Sequence, residues 1–127
     1  VFLQPTSPLR NAKHIDEAIE YMFSKKGDAT VSVCEVEHPI HWSGPLPKDN
    51  NMSQFLDRVS VQSRSQDLPT SYRLNGAIYI CDVNRFLEEG CVFLKNNIYA
   101  FKMSQEVSVD IDTRIDFKFA EVLMDEN

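Results

Sequence analysis

Glycine is scarce in this chain, four in 127 residues, and none has the spacing that lets backbone amides wrap a phosphate. That excludes a glycine-rich phosphate loop within these residues. No dense run of Lys or Arg occurs and the formal charge is −6, which argues against a nucleic-acid module. A phosphorylated small molecule stays open, since it needs only local donors and a metal. No apolar run approaches the ~20 residues of a membrane span, and no signal-peptide pattern occurs. The three cysteines, Cys34, Cys81 and Cys91, are far apart and outside any CxxC spacing. They read as free thiols in a reducing compartment, so the expected setting is cytoplasmic and away from membranes.

What is present suffices for a core: 43% hydrophobic residues and 25% charged, in a length that suits one domain or part of one. Val1-Phe2-Leu3 reads as a buried strand beginning at the first residue, which suggests a chain cut within a larger fold. Gln4-Pro5-Thr6-Ser7-Pro8-Leu9-Arg10 follows. Its two prolines forbid a continuing central strand and stiffen a polar loop. It is either a ligand loop at a strand end or a plain connection, with Ser7 or Asn11 capping the next helix. That helix places Ile15, Ala18, Ile19, Met22 and Phe23 on one face, with Gly27 as a left-handed C-cap. Ala29 to Val36 alternates β-branched residues, so strand, helix and strand make a βαβ unit and favour a parallel sheet.

Residues 37–73 break this pattern with prolines, a polar run and sparse apolar anchors at Met52, Phe55, Leu56, Val59 and Val61. Long inserts of this kind are usually functional. Cys34, His38 and His41 fit no standard zinc spacing, whereas Trp42 and the isolated apolar residues suit docking on another subunit. Leu74 to Cys81 then reads as a buried strand, with Asn75-Gly76 permitting a tight turn or a close approach of ligand to backbone. Asp82 is the expected N-cap of a short helix ending at Glu89 before Gly90, and Ile98 to Met103 a further strand. From Thr113 a helix puts Ile115, Phe119, Val122 and Leu123 on one face, with Thr113 and Asp116 at capping-box spacing.

Val107-Ser108-Val109-Asp110-Ile111-Asp112-Thr113 precedes that last helix. In extended backbone Asp110 and Asp112 share a face, and Ile111 points the other way. Two carboxylates about 4 Å apart repel by about 4 kcal/mol at an effective dielectric of ~20, so a partly buried pair favours a cation or a proton between them. The competing reading has Asp112 and Thr113 capping the helix while Asp110 sits in solvent.

Four stretches in register resemble the acylneuraminate cytidylyltransferases: Leu3 to Arg10, Arg64-Ser65-Gln66-Asp67-Leu68-Pro69, Tyr72 to Ile80, and Ser108 to Thr113. The resemblance implies a C-terminal portion of one α/β nucleotidyltransferase domain: part of a Rossmann-like, mostly parallel sheet flanked by helices. It makes residues 37–73 a dimerisation arm and leaves the N-terminal, CTP-binding half absent. It also implies transfer of a cytidylyl group from CTP to a nonulosonic (sialic) acid, with Mg²⁺ on the catalytic carboxylates Asp110 and Asp112. Gln4, Arg64, Asn75, Tyr79 and Phe93 would be the substrate-binding residues, in a homodimer. The expected consequence is a chain inactive alone. The alternatives are a non-catalytic oligomerisation or sugar-binding remnant, or a cytidylyltransferase for legionaminic acid, pseudaminic acid or Kdo.

Overall fold

A computed structural model describes residues 1–58 and 69–125. They form two compact units, one of Val1–Cys34 with Leu74–Asn127 and the other of Glu35–Arg73.

The first unit is built on strands β1 (Ala29–Glu35), β2 (Tyr72–Cys81) and β3 (Ile98–Lys102), ordered β2-β1-β3. β1 and β3 run parallel, from Ala29 opposite Ile98 to Val33 opposite Lys102. β2 runs the other way. At one end the Asp82 N–H donates to the Asp28 carbonyl (2.8 Å), and at the other the Val36 N–H donates to that of Ser71 (3.0 Å). The sheet is therefore mixed, where the sequence had suggested mostly parallel pairing. A continuous apolar run such as Ala77 to Ile80 marks burial but carries no strand direction.

Val1-Phe2-Leu3 is also not a buried strand: Phe2 is 54% exposed and makes one antiparallel bridge to Tyr79. Because β2 opposes both neighbours, Phe2 and β1 point the same way with β2 between them. The strand-helix-strand reading thus holds in direction, with an extra strand inserted.

Helix α1 (Ala12–Ser24) begins in a capping box: Asn11 Oδ1 accepts the His14 N–H, and His14 Nδ1 accepts that of Asn11. Ala18 and Met22 are buried against Ala77, Ile78, Ile80 and Met103, with Ile15 and Ile19 packed alongside. Phe23, assigned to the same face, is 68% exposed. It lies at the end of the helix, past the covered stripe. The C-cap is a Schellman motif, with Lys26 N–H to Phe23 O and Gly27 N–H to Met22 O. Lys26 rather than Gly27 takes the left-handed position, at φ 52°. Gly27 is needed for room instead, since a Cβ there would lie 2.7 Å from Tyr99 Cδ2.

Helix α3 (Val83–Glu89) starts where expected, with Asp82 Oδ1 accepting the Asn84 and Arg85 N–H groups, and closes at Gly90 with φ 66°. Helix α4 (Arg114–Asp125) departs from expectation. Of the expected face, Ile115, Phe119 and Val122 are exposed and Leu123 is half-buried, and among the residues broadening that surface Ala120 is buried. Periodicity identified an apolar stripe but not which part of it these residues cover.

The second unit contains a 3-10 turn (Ile40–Trp42) and helix α2 (Met52–Arg58). Its ends are held by the Val36–Ser71 hydrogen bond and by an Arg73–Glu37 ion pair at 2.7 Å. Arg73 keeps the Glu37 carboxyl below the usual carboxylate range. Ile40, Trp42, Leu46, Met52 and Leu56 all remain exposed. Among the described residues no helix is long and apolar enough to cross a membrane.

Candidate functional site

The Gln4-to-Arg10 loop turns tightly, and Arg10 holds the turn. One guanidinium nitrogen donates to the carbonyls of Gln4 (2.6 Å) and Ser7 (2.5 Å). Burial lowers the Arg10 pKa from its usual value, so this side chain braces the loop from within. The loop then meets two other segments. The Thr6 carbonyl accepts the Ile111 N–H (2.8 Å), which ties it to the stretch holding Asp110 and Asp112. The Ser7 hydroxyl donates to the Asn75 carbonyl (3.1 Å) on β2.

Gly76 makes the second contact possible. Its φ of +72° suits glycine. A Cβ there would collide with Gln4 Oε1 and lie 2.9 Å from Ser7 Oγ. The close approach expected at Asn75-Gly76 is therefore to the protein's own loop.

The carboxylate stretch is not extended throughout. β3 ends at Lys102, a 3-10 turn covers Gln105–Val107, and residues 108–113 have no regular structure. Asp110 is half-buried and Asp112 exposed, so the two do not share an environment as a strand would have arranged.

Neither aspartate caps α4. Thr113 and Asp116 do: the Asp112 and Thr113 N–H groups donate to Asp116 Oδ2 (3.2 and 2.7 Å), and the Asp116 N–H donates to Thr113 Oγ1 (3.3 Å). Hydrogen bonding from the Thr113 side chain and backbone holds the Asp116 carboxyl below its ordinary value. The capping box with Asp in place of Glu thus forms. Asp110 Oδ1 is shut off from water with no hydrogen-bond partner among the described residues. Of the capping reading, Thr113 holds and Asp112 does not, while Asp110 is half-buried rather than in open solvent.

Tyr79 joins this stretch to an apolar groove. Burial and then the Asp110 carboxylate raise the pKa of its hydroxyl. Its ring lies between Phe2 and Phe93, each 5.6 Å away between centroids, with Phe93 edge-on. The groove, about 470 Å³, is lined by Phe2, Tyr79, Cys81, Phe86 and Cys91 among others. Phe93 itself is half exposed. Phe2 was not foreseen beside these rings, although its place two residues before Gln4 was a usable signal.

Along β2 the fold thus sets Gln4 against Gly76, next to Asn75, and brings Phe93 and Asp110 to Tyr79. Asn75 is 1% exposed and its amide is engaged within the protein. Arg64 lies outside the described residues. Among the described residues, no group of three or more His, Cys, Asp or Glu side chains could hold a metal ion, so the Cys34, His38 and His41 set stays unassembled. Two carboxylates, one with a buried unpaired oxygen, are a partial ligand set of the kind a hard cation completes with substrate oxygens and water.

No protein-family model matches the chain. Among curated proteins it is 42% identical over 120 residues to an N-acylneuraminate cytidylyltransferase of Streptococcus agalactiae, covering 92% of this chain and 28% of that protein. It is 35% identical over 119 residues to the Escherichia coli enzyme of the same name, covering 93% and 28%. A pseudaminic acid cytidylyltransferase of Campylobacter jejuni is 32% identical over 121 residues, covering 95% of this chain and 51% of the relative. The chain spans little more than a quarter of the first two relatives and about half of the third. Over nearly all of its residues, this chain belongs to the N-acylneuraminate cytidylyltransferase family.

Proposed function

We propose that this chain supplies the sugar-acid and metal-binding part of an enzyme that transfers the cytidylyl group of CTP to a nonulosonic acid of the sialic acid class, releasing pyrophosphate. The observation that carries the reading is Asp110 Oδ1, buried and unpartnered beside Tyr79 on a segment bonded to the Gln4 loop. A carboxylate oxygen held away from water without a donor is costly unless a cation completes it. Asp110 and Asp112 would hold Mg²⁺, which when bound neutralises phosphate charge during transfer.

The protein's own groups do the positioning. Gln4, half-buried at the loop, presents an amide to the sugar acid. Tyr79 and Phe93 supply an apolar wall that excludes water. Arg64 would pair with the sugar's carboxylate as a planar fork. The anomeric hydroxyl, so oriented, attacks the α-phosphate of CTP and pyrophosphate leaves. Residues 37–73 act as the dimerisation arm of a Rossmann-like domain, a role supported by the exposed Ile40, Trp42 and Leu46. The free thiols of Cys34, Cys81 and Cys91 suit a cytoplasmic setting.

None of the four glycines has the spacing of a triphosphate-cradling loop, so this chain alone is expected not to complete the reaction. The test is CMP-sugar formation from CTP, N-acetylneuraminic acid and Mg²⁺. The chain is assayed alone and with the remainder of the Streptococcus agalactiae relative supplied as a separate polypeptide. Activity only in the mixture, abolished by Asp112→Ala, is expected. Full activity from the chain alone would refute the claim of insufficiency, and activity that survives Asp110→Ala and Asp112→Ala would refute the metal assignment.

A further inference from the structure

Asn75 is buried at the junction of four segments, and every polar atom of its side chain is occupied by protein. Its Oδ1 accepts the Ser32 hydroxyl (2.6 Å) from β1 and the Ala77 N–H (3.2 Å). Its Nδ2 donates to Ser108 Oγ (2.9 Å) and lies 3.5 Å from Met103 Sδ. An amide has two N–H donors and one oxygen with two lone pairs, so this set saturates it. Its orientation is determined, because the Ala77 N–H can only donate and a flipped amide would face it with a second donor.

The partners are anchored in turn. Ser32 Oγ accepts the Ile78 N–H (2.8 Å), and Ser108 Oγ donates to the Ser104 carbonyl (2.6 Å). Ser32 and Ser108 are 1% and 0% exposed. The backbone of Asn75 continues the chain of bonds, since its carbonyl accepts the Ser7 hydroxyl.

We propose that Asn75 is a positioning residue that holds the Gln4 loop and the Asp110 loop in register, and that it does not touch the sugar acid. Ser108 lies two residues before Asp110, and Ser7 three residues after Gln4. One buried amide and its own carbonyl therefore set where both loops leave the sheet. The functional consequence rests on the cytidylyltransferase reading; the mechanical claim does not. Ser32 and Ser108 extend the assignment, since neither reaches solvent yet both hold the same amide.

The experiment separates these levels. Hydrogen–deuterium exchange is followed in the full 127-residue chain for wild type, Asn75→Ala, Ser108→Ala and Ser108→Thr. The variants keep the Asn75 carbonyl, so loss of one buried side-chain hydrogen bond predicts about tenfold faster exchange, by local opening, in peptides spanning residues 108–112 and, through the Thr6–Ile111 bond, residues 4–7. The β1 and β3 peptides stay unchanged, and Ser108→Thr, which keeps the hydroxyl, exchanges as wild type does. Faster exchange confined to residues near 75, or spread evenly over the chain, would overturn the proposal. Ser108→Ala carries the test if Asn75→Ala does not fold.

In the reconstituted enzyme, Ser108→Ala and Asn75→Ala should both lower kcat and raise the KM for the sugar acid by similar factors, since both loosen the loops that carry Gln4 and Asp110. A rise in that KM for Asn75→Ala alone would show a direct substrate contact and refute the positioning role. Absence of any activity in wild type would sink the cytidylyltransferase reading while leaving the exchange result to judge the hub.

Discussion

Gly76 and Gly90 offer a controlled comparison, because both have positive φ (72° and 66°) but only one is crowded. Around Gly90 an added Cβ meets nothing within 4 Å; at Gly76 it would strike Gln4 and Ser7. Placing an L-residue in the left-handed region costs about 1–2 kcal/mol. Loss of unfolded-chain freedom on replacing glycine returns about 0.4–1 kcal/mol. Gly90→Ala should therefore destabilise by about 1 kcal/mol.

Gly76→Ala carries the same backbone term and must also displace the Gln4 side chain. It disturbs the Ser7–Asn75 hydrogen bond as well, and a buried hydroxyl left unpaired costs about 1–3 kcal/mol. The expected total is about 2–4 kcal/mol. Urea unfolding of the two variants, followed by far-UV circular dichroism, measures the difference directly. Equal destabilisation would mean that the Gln4 loop does not pack on β2 as described, and the site built on that contact would fall with it.

Thr30 is fully buried and its hydroxyl has no partner among the described residues, so Thr30→Val should raise stability by about 1 kcal/mol, read as a higher urea midpoint. Mg²⁺ should raise the melting temperature of wild type and leave that of Asp110→Asn unmoved, since the amide removes the charge that would hold the ion. Asp116 has a folded-state pKa below its unfolded value of about 3.8, so its contribution is full above that pH. It fades as pH falls through the lower folded value; an acid titration of helicity should lose this step in Asp116→Asn.

The elements whose local chemistry names them were legible in advance. Asp82 and Gly90 bracket α3 as expected, and the Thr113–Asp116 box starts α4. Caps are read within four residues, so their evidence lies beside the effect. Helix α2 has a weaker signature: Met52, Phe55, Leu56 and Val59 stand at i, i+3, i+4, i+7, but the prolines and polar residues around them give the stretch the composition of a loop. Strand direction was beyond reach for a different reason: it depends on how the chain returns to the sheet.

The site divides along the same line. That Asp110 and Asp112 stand ahead of a helix was readable, as was the special backbone at Asn75-Gly76. That Asn75 faces inward depended on partners 68 residues away at Ser7, 43 at Ser32 and 33 at Ser108. A buried asparagine and a ligand-binding asparagine look alike in sequence because the same donors and acceptors serve either. What distinguishes them is whether the protein has already used every one. At Asn75 it has, whereas at Asp110 one oxygen is left over, and that difference is the physical reason to assign the first to positioning and the second to binding.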